Sequence, residues 1–162
     1  MSIERVVVNA SPLICLFKSG LHGLLPALFR EILVPESVLK EITSAGKHDF
    51  PAEQVMQQSW LQSVSETPVD LRVAVWKLGR GESDVISYAL QYPSFRVVLD
   101  DREARRCAET MGCACIGTAG ILLLARRRNL ILSLRDSFAR LKGSGIWLSD
   151  VLMEELCRKV GE

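Results

Sequence analysis

The sequence lacks an excess of charge of either sign. Among its 162 residues, 20 lysines and arginines are balanced by 19 aspartates and glutamates, and the formal net charge is +1. A field that attracts nucleic acid or an anionic membrane over the whole surface is therefore excluded. Any partner of that kind has to be bound by a local patch.

Long hydrophobic runs are also missing. The apolar run at residues 119–125 is far shorter than the roughly 20 residues that a membrane-spanning helix needs. Residues 6–17 are apolar, but they contain Asn9 and Pro12, and the preceding MSIER has no net positive charge, unlike a signal peptide. We expect a soluble cytoplasmic protein with no membrane partner.

Cysteine occurs in a pattern that fits neither a disulfide framework nor a zinc site, because the number is odd and paired CxxC motifs are missing. The five are Cys15, Cys107, Cys113, Cys115 and Cys157. We expect buried, reduced thiols, with Cys113 and Cys115 on one face of a strand. Reduced thiols favour a cytoplasmic location.

Short β-branched runs alternate with helical patterns along the chain, which is typical of βαβ units. Strands are predicted at residues 5–8, 31–34, 60–64, 96–99 and 113–116, with helices between and after them. The pattern predicts a three-layer α/β/α fold with a mostly parallel central sheet, as a single domain over residues 1–162. Ser11 and Thr118 are predicted as helix N-caps, and residues 69–78 as a helix.

Ligands of parallel sheets bind beyond the carboxyl ends of the strands, and several polar residues are predicted there. They are Asn9, Ser11, Glu41, Glu82, Asp100, Asp101 and Thr118. Oxygen ligands without histidine or cysteine suit a hard ion such as Mg²⁺ or Mn²⁺. Each acid alone is equally typical of a helix N-terminus, which favours negative charge. Only the convergence of the four acids indicates a function.

Other catalytic motifs are missing. The sequence contains no GxxxxGK[ST] and no GxSxG, and Gly79-Arg80-Gly81 lacks the third glycine of a dinucleotide-binding loop. His22 and His48 have no acid or nucleophile at a useful spacing, so we expect them at the surface or at caps. Trp76 and Trp147 are expected as core or interface anchors.

Five segments in order carry a family resemblance: VVVNASPLICLFKSGL, ILVPESVLKEI, LGRGESDVISYAL, VVLDDREARRCAETMG and CIGTAGILLLARRR. Over about residues 6–150 the chain resembles PIN-domain proteins, in a bacterial and archaeal subgroup described as nucleic-acid-binding. PIN domains are typically Mg²⁺- or Mn²⁺-dependent nucleases, many of them endoribonuclease toxins of VapBC-type pairs. The resemblance implies a metal-dependent endoribonuclease acting on RNA, with a small antitoxin protein as partner and a homodimer as assembly.

The resemblance also implies residue roles. The family's four acids fall on Asn9, Glu41, Glu82 (with Asp84 as the alternative) and Asp101, and its hydroxyl falls on Ser11. The implied catalytic residues are Glu41, Glu82, Asp100 and Asp101; the implied metal ligands are Asn9, Glu82 and Asp101; the implied substrate-binding residues are Ser11, Arg102, Thr118, Arg126 and Arg127. Arg102 belongs to a helical series with Arg105 and Arg106, which is equally typical of a solvated face.

Asn9 is the departure from the family pattern. An amide oxygen still binds a cation, but it lacks the negative charge of the first acid, so we expect weaker metal affinity. The alternative hypothesis is therefore a PIN-like module that binds RNA or a partner protein without cleaving it. A third is an interaction subunit that dimerises through exposed apolar residues.

Overall fold

The computed structural model describes residues 5–44 and 52–162. At its centre is a five-stranded sheet with the order β3-β2-β1-β4-β5, in which every neighbouring pair is parallel. The strands are β1 (Arg5–Val8), β2 (Glu31–Pro35), β3 (Leu61–Val64), β4 (Arg96–Val98) and β5 (Cys115–Ile116). The mostly parallel sheet predicted from the alternating pattern is confirmed.

Ten helices are formed by the described residues. They are α1 (Ala10–Lys18), α2 (Leu24–Leu28), α3 (Glu36–Ser44), α4 (Ala52–Met56), α5 (Leu71–Ala74), α6 (Arg80–Gln91), α7 (Arg102–Thr110), α8 (Thr118–Arg127), α9 (Leu134–Gly143) and α10 (Asp150–Arg158). Helix α6 contacts β1, β2 and β4, whereas α2 contacts β2 and α8. From β1 the chain steps one way along the sheet to β2 and β3, and then the other way to β4 and β5. Right-handed connections that step in opposite directions along a sheet place their helices on opposite faces. The helices thus cover both faces, and the three-layer α/β/α fold is confirmed.

Helix α1 begins two residues earlier than predicted. The N-cap is Asn9 rather than Ser11, because Asn9 completes two structures at once. Its N–H donates to the Val98 carbonyl (3.1 Å), which extends the pairing of β1 with β4, while its own carbonyl accepts from the Leu13 N–H (3.5 Å). The Asn9 side chain makes no capping hydrogen bond.

Two other helix boundaries were wrong. Helix α8 starts at Thr118 itself, with Gly117 as the N-cap. The helix predicted at residues 69–78 is only the single turn α5, which Asp70 caps by accepting from the Arg72 N–H (2.9 Å). Lys77 has a φ of +54°, and this left-handed backbone ends helical geometry there.

The burial of the cysteines and tryptophans agrees only in part with the prediction. All five cysteines are free and Cys15, Cys107 and Cys157 are buried, but Cys113 and Cys115 are half-buried, because β5 is too short to include Cys113. Trp147 is 84% exposed and so is not a core residue, whereas Trp76 is half-buried.

Of the two histidines, the structure describes only His22. His22 is half-buried and stacks on Phe17 with ring centroids 4.3 Å apart. His48 lies outside the described residues. Within the described ranges, no helix has the length and apolar character needed to cross a membrane.

Glu162 caps α9 from outside that helix. Its Oε1 accepts from the Leu134 N–H (2.9 Å) and Arg126 Nε (2.8 Å), and its Oε2 accepts from Ser133 Oγ (3.0 Å) and the Arg135 N–H (3.1 Å). These donors, first of all the Leu134 N–H, lower the pKa of Glu162 from 4.5 to about 2. The ionised side chain therefore stabilises the packing of the last three helices.

Replacing Glu162 by glutamine should lower the free energy of unfolding at neutral pH by about 1–2 kcal/mol, the range measured for lost helix caps. Because folding lowers this pKa from 4.5 to about 2, the contribution is fully present above pH 4.5 and is lost as the pH falls from there toward about 2. Urea unfolding of wild type, E162Q and the exposed control E155Q across this pH range measures it. A constant difference at all pH values would contradict the assignment.

Candidate functional site

The carboxyl ends of β1 and β4 bring two polar segments together. Asn9 directly follows β1, and Asp100 and Asp101 come two and three residues after Val98, the last residue of β4. The hydrogen bond from the Asn9 N–H to the Val98 carbonyl holds the two strand ends side by side. The prediction that these side chains belong to one edge of the sheet is therefore realised in the fold.

Glu41 and the first turn of α6 close on Asn9. A Cβ atom added to Gly81 would lie 3.2 Å from Asn9 Oδ1, 3.2 Å from Glu41 Oε1 and 3.1 Å from a methyl group of Val38. A side chain here would force these neighbours to move apart by a few tenths of an ångström, whereas glycine leaves the contact undisturbed. Gly81 therefore lets helix α6, helix α3 and the end of β1 meet.

The Asn9 side chain is buried without satisfying its acceptor. The residue is 4% exposed, and Oδ1 has no hydrogen-bond partner in the described part of the chain. Leaving a buried acceptor unpaired costs about 1–3 kcal/mol. A donor or a cation at this oxygen would remove that cost, so the atom is suited to receive a ligand.

Glu82 interacts with two other acids. Burial raises its pKa above 4.5, and the charges of Asp101 and Glu41 raise it further, against a hydrogen bond from the Gly79 N–H to Oε2 (3.3 Å). Burial also raises the pKa of Glu41. Glu82 therefore lies close enough to Asp101 and Glu41 for both charges to disfavour its ionisation.

Asp101 and Asp100 accept hydrogen bonds from different helices. Asp101 caps α7 by accepting from the Ala104 N–H at Oδ2 (3.0 Å), and the residue is exposed. Asp100 accepts from Thr118 twice, from its N–H at Oδ1 (2.8 Å) and from its hydroxyl at Oδ2 (2.5 Å). Asp100 therefore joins the end of β4 to the start of α8.

Comparison with known proteins agrees with this geometry. The DUF3368 family model, a PIN domain, matches residues 5–162. The chain belongs to the PIN-domain family. No curated protein matches it. Membership indicates a nuclease-type fold and nucleic-acid binding, and PIN domains generally use divalent metals.

In this PIN domain, Glu82 and Asp84 occupy different environments. Asp84 is 1% exposed and accepts from Arg80 Nε at Oδ1 (2.8 Å), while its Oδ2 has no partner among the described residues. Glu82 interacts electrostatically with Asp101 and Glu41. Which of these two acids takes the place of the family's third acid stays a prediction.

The predicted substrate-binding residues of the PIN domain are dispersed. Ser11 and Arg102 are exposed in the first turns of α1 and α7, beside Asn9 and Asp101. Thr118 is fully buried with its hydroxyl bonded to Asp100.

Arg126 and Arg127 lie at the opposite end of α8 from Thr118, about 12–13 Å along the helix axis. Arg126 pairs there with Glu162 (2.8 Å). Phosphate binding by these two arginines stays a prediction and concerns a surface away from the acids.

No three histidine, cysteine or carboxylate side chains in residues 5–44 and 52–162 are grouped so that they could hold a metal ion. The donors at the edge are nevertheless all oxygens, and Asn9 Oδ1 lacks a partner. This chemistry fits a hard divalent ion. Such an ion would use the amide oxygen of Asn9 or draw the carboxylates closer together.

The close approach at Gly81 was not predicted from the sequence. The sequence does place Gly81 directly before Glu82 at the start of a predicted helix. A glycine at such a position is also common in turns, so it does not by itself indicate a close contact. Only the contact of three elements distinguishes the two cases.

Replacing Glu82 by glutamine should stabilise the metal-free protein at neutral pH. The raised pKa means that the ionised carboxylate opposes folding, a penalty that is present above the folded pKa and disappears below about pH 4.5. A gain of about 1 kcal/mol would raise Tm by about 2–4 °C. Thermal unfolding in EDTA at neutral and acidic pH tests this against E53Q, which removes an exposed first-turn glutamate of α4. A lower Tm for E82Q at neutral pH would contradict the repulsion.

Proposed function

We propose that this PIN domain is a divalent-metal-dependent endoribonuclease that hydrolyses RNA phosphodiester bonds with Mg²⁺ or Mn²⁺. The observation that carries the proposal is the unpartnered, buried Oδ1 of Asn9 beside Oε1 of Glu41. Glu82 and Asp101 interact at the same edge of the sheet. Membership of a nuclease-type family supports the same reading.

Asn9, Glu82 and Asp101 are the proposed metal ligands. All three present oxygen atoms, and the repulsion between Glu82 and Asp101 in the metal-free protein favours the binding of a cation. A divalent ion bound there would neutralise phosphate charge and increase the acidity of water. Its positive charge would also lower the pKa of Glu82.

The remaining acids have proposed roles beside the ligands. Glu41, whose pKa is raised by burial, is suited to take a proton from the attacking water near neutral pH. Asp100 holds the first turn of α8 through Thr118 and so keeps the end of β4 in place for Asp101. Ser11 and Arg102 are exposed at the rim, where they can contact RNA.

A second candidate function is RNA or partner-protein binding without cleavage. Asn9 supports it, because an amide in place of the family's first acid removes a negative charge from the proposed ligand set. The absence of a ready group of three ligands within the described ranges points the same way. The toxin role, the antitoxin partner, the homodimer and the cytoplasmic location stay predictions.

Divalent ions should raise the Tm of the wild-type protein, since a ligand that binds only the folded state stabilises it by mass action. D101N should lose most of this shift while keeping helix α7, because asparagine is also a good N-cap. N9D should increase it. E103Q, which removes an exposed charge from the same helix turn, is the matched control and should retain the wild-type shift. An unchanged shift in D101N would refute the proposed ligand set.

RNA cleavage separates the two candidate functions. We expect wild-type protein with Mn²⁺ or Mg²⁺ to cut a mixed pool of structured and single-stranded RNA, and D101N to be slower by at least about 100-fold, as for other lost electrostatic groups in active sites. If folded wild type does not cut but N9D does, the domain is a binding module. If neither cuts, the nuclease proposal fails.

A further inference from the structure

Arg105 lies against a residue that has no side chain. It is the fourth residue of α7, and its guanidinium lies beside Gly117, the N-cap of α8. A Cβ atom added to Gly117 would lie 2.5 Å from Arg105 Nη1, a distance that real Cβ atoms do not reach. The guanidinium therefore occupies the space that any other residue at this position would fill.

Two other arginines of the domain form ion pairs, whereas Arg105 forms none with the described residues. Arg106, the next residue of the helix, contacts Glu103 (3.2 Å), and Arg126 contacts Glu162 (2.8 Å). The Arg105 side chain is half-buried, yet it makes no hydrogen bond or ion pair in the described part of the chain. A partly desolvated guanidinium with unfilled donors favours a ligand that presents oxygen acceptors in one plane.

The position of Arg105 relates it to the acidic edge. Asp100 Oδ1 lies 3.1 Å from the same added Cβ atom of Gly117, and Asp100 adjoins Asp101. Both Asp100 oxygens already accept hydrogen bonds from Thr118, so Asp100 has less capacity to bind Arg105 as well. A cation thus stands next to carboxylates that by themselves repel a polyanion.

We propose that Arg105 binds a backbone phosphate of single-stranded RNA at the rim of the acidic site, with Gly117 providing the space that its guanidinium needs. The inference rests on the proposed RNA substrate but not on cleavage. A planar guanidinium offers two parallel N–H donors to two phosphate oxygens. A phosphate held there would bring the neighbouring phosphodiester toward Asp101 and Glu82.

The test measures RNA binding without metal, so that cleavage plays no part. A fluorescently labelled oligouridylate of about 12 nucleotides, within the range of single-strand sites, is titrated by anisotropy in EDTA at several salt concentrations. R105M should raise Kd by roughly tenfold, and the slope of log K against log salt should decrease by about one. R105K should restore the salt slope but not the full affinity, because lysine lacks the planar fork.

R106M is the matched control. It removes the same charge from the next position of the same helix, where the arginine is exposed and paired with Glu103. Equal effects of R105M and R106M would overturn the proposal, since they would show only general attraction. So would an unchanged Kd in R105M, or wild-type protein that does not bind the oligonucleotide.

A second variant tests the role of Gly117. Its backbone is extended, with a φ of −95° and a ψ of 173°, so alanine is allowed there. Its Cβ atom would displace the guanidinium and would also press on Asp100 Oδ1, 3.1 Å away, and the R105M background separates the two effects. G117A should weaken RNA binding in wild type but not further in R105M, a non-additivity expected of residues in contact. Additive losses would overturn the pairing of the two residues.

Thermal unfolding separates RNA binding from a structural role. If Arg105 served the fold alone, R105M would lower Tm and weaken RNA binding only to the extent of the unfolded fraction. We expect a Tm within about 2 °C of wild type, the range for surface substitutions. If metal-dependent cleavage fails in all variants while Arg105-dependent RNA binding persists, the nuclease proposal fails and this inference stands.

Discussion

Val6, Val7 and Val8 of β1 pair with Arg96, Val97 and Val98 of β4, and the Asn9 N–H continues this pairing to the Val98 carbonyl. These two strands are far apart in the chain but adjacent in the sheet. Their three β1 valines are completely buried, so a shift in register would expose apolar surface. Every polar contact at the carboxyl edge depends on this alignment, because it determines which side chains follow the strands side by side.

The site is built from groups that oppose folding in the absence of a ligand. Asn9 has a buried oxygen without a donor, and Glu41 and Glu82 have raised pKa values. Such costs are typical of functional sites, where stability is lower than the same scaffold would allow. The large apolar core around the central strands outweighs them, and the hydrogen bonds at Glu162 stabilise the packing of the last helices.

The adjacent acids Asp100 and Asp101 illustrate a division of tasks. Asp100 bonds twice to Thr118 and so fixes α8 against the end of β4. Asp101 starts α7 and remains exposed toward the other acids. The guanidinium of Arg105 lies beside Gly117, near Asp100, and introduces a positive charge at the same edge. One short stretch of chain therefore orders the fold, supplies a proposed ligand and orients a cation.

Sequence patterns predicted much of this arrangement. The period of the apolar residues predicted five strands and the helices between them, since burial on both faces of a parallel sheet requires it. The rule that ligands bind at the carboxyl ends of strands then placed Asn9, Glu82 and Asp101 at one edge. The preference of a residue for the N-cap position predicted the helix starts less well. Ser11 is a good N-cap, but α1 starts after Asn9, which pairs with β4. Thr118 is also a good N-cap, but its hydroxyl bonds to Asp100 and α8 starts after Gly117.

By itself, the sequence determined the fold class, the family and the edge at which the acids lie, because hydrophobic periodicity and residue order are properties of the chain. Only the tertiary structure decided which side chains interact. Glu82 interacts with Asp101 and Glu41, while Asp84 is buried against Arg80. Arg105 lies over Gly117 while Arg126 pairs at the far end of α8. These choices depend on distances between segments that are remote in sequence, which no local pattern records.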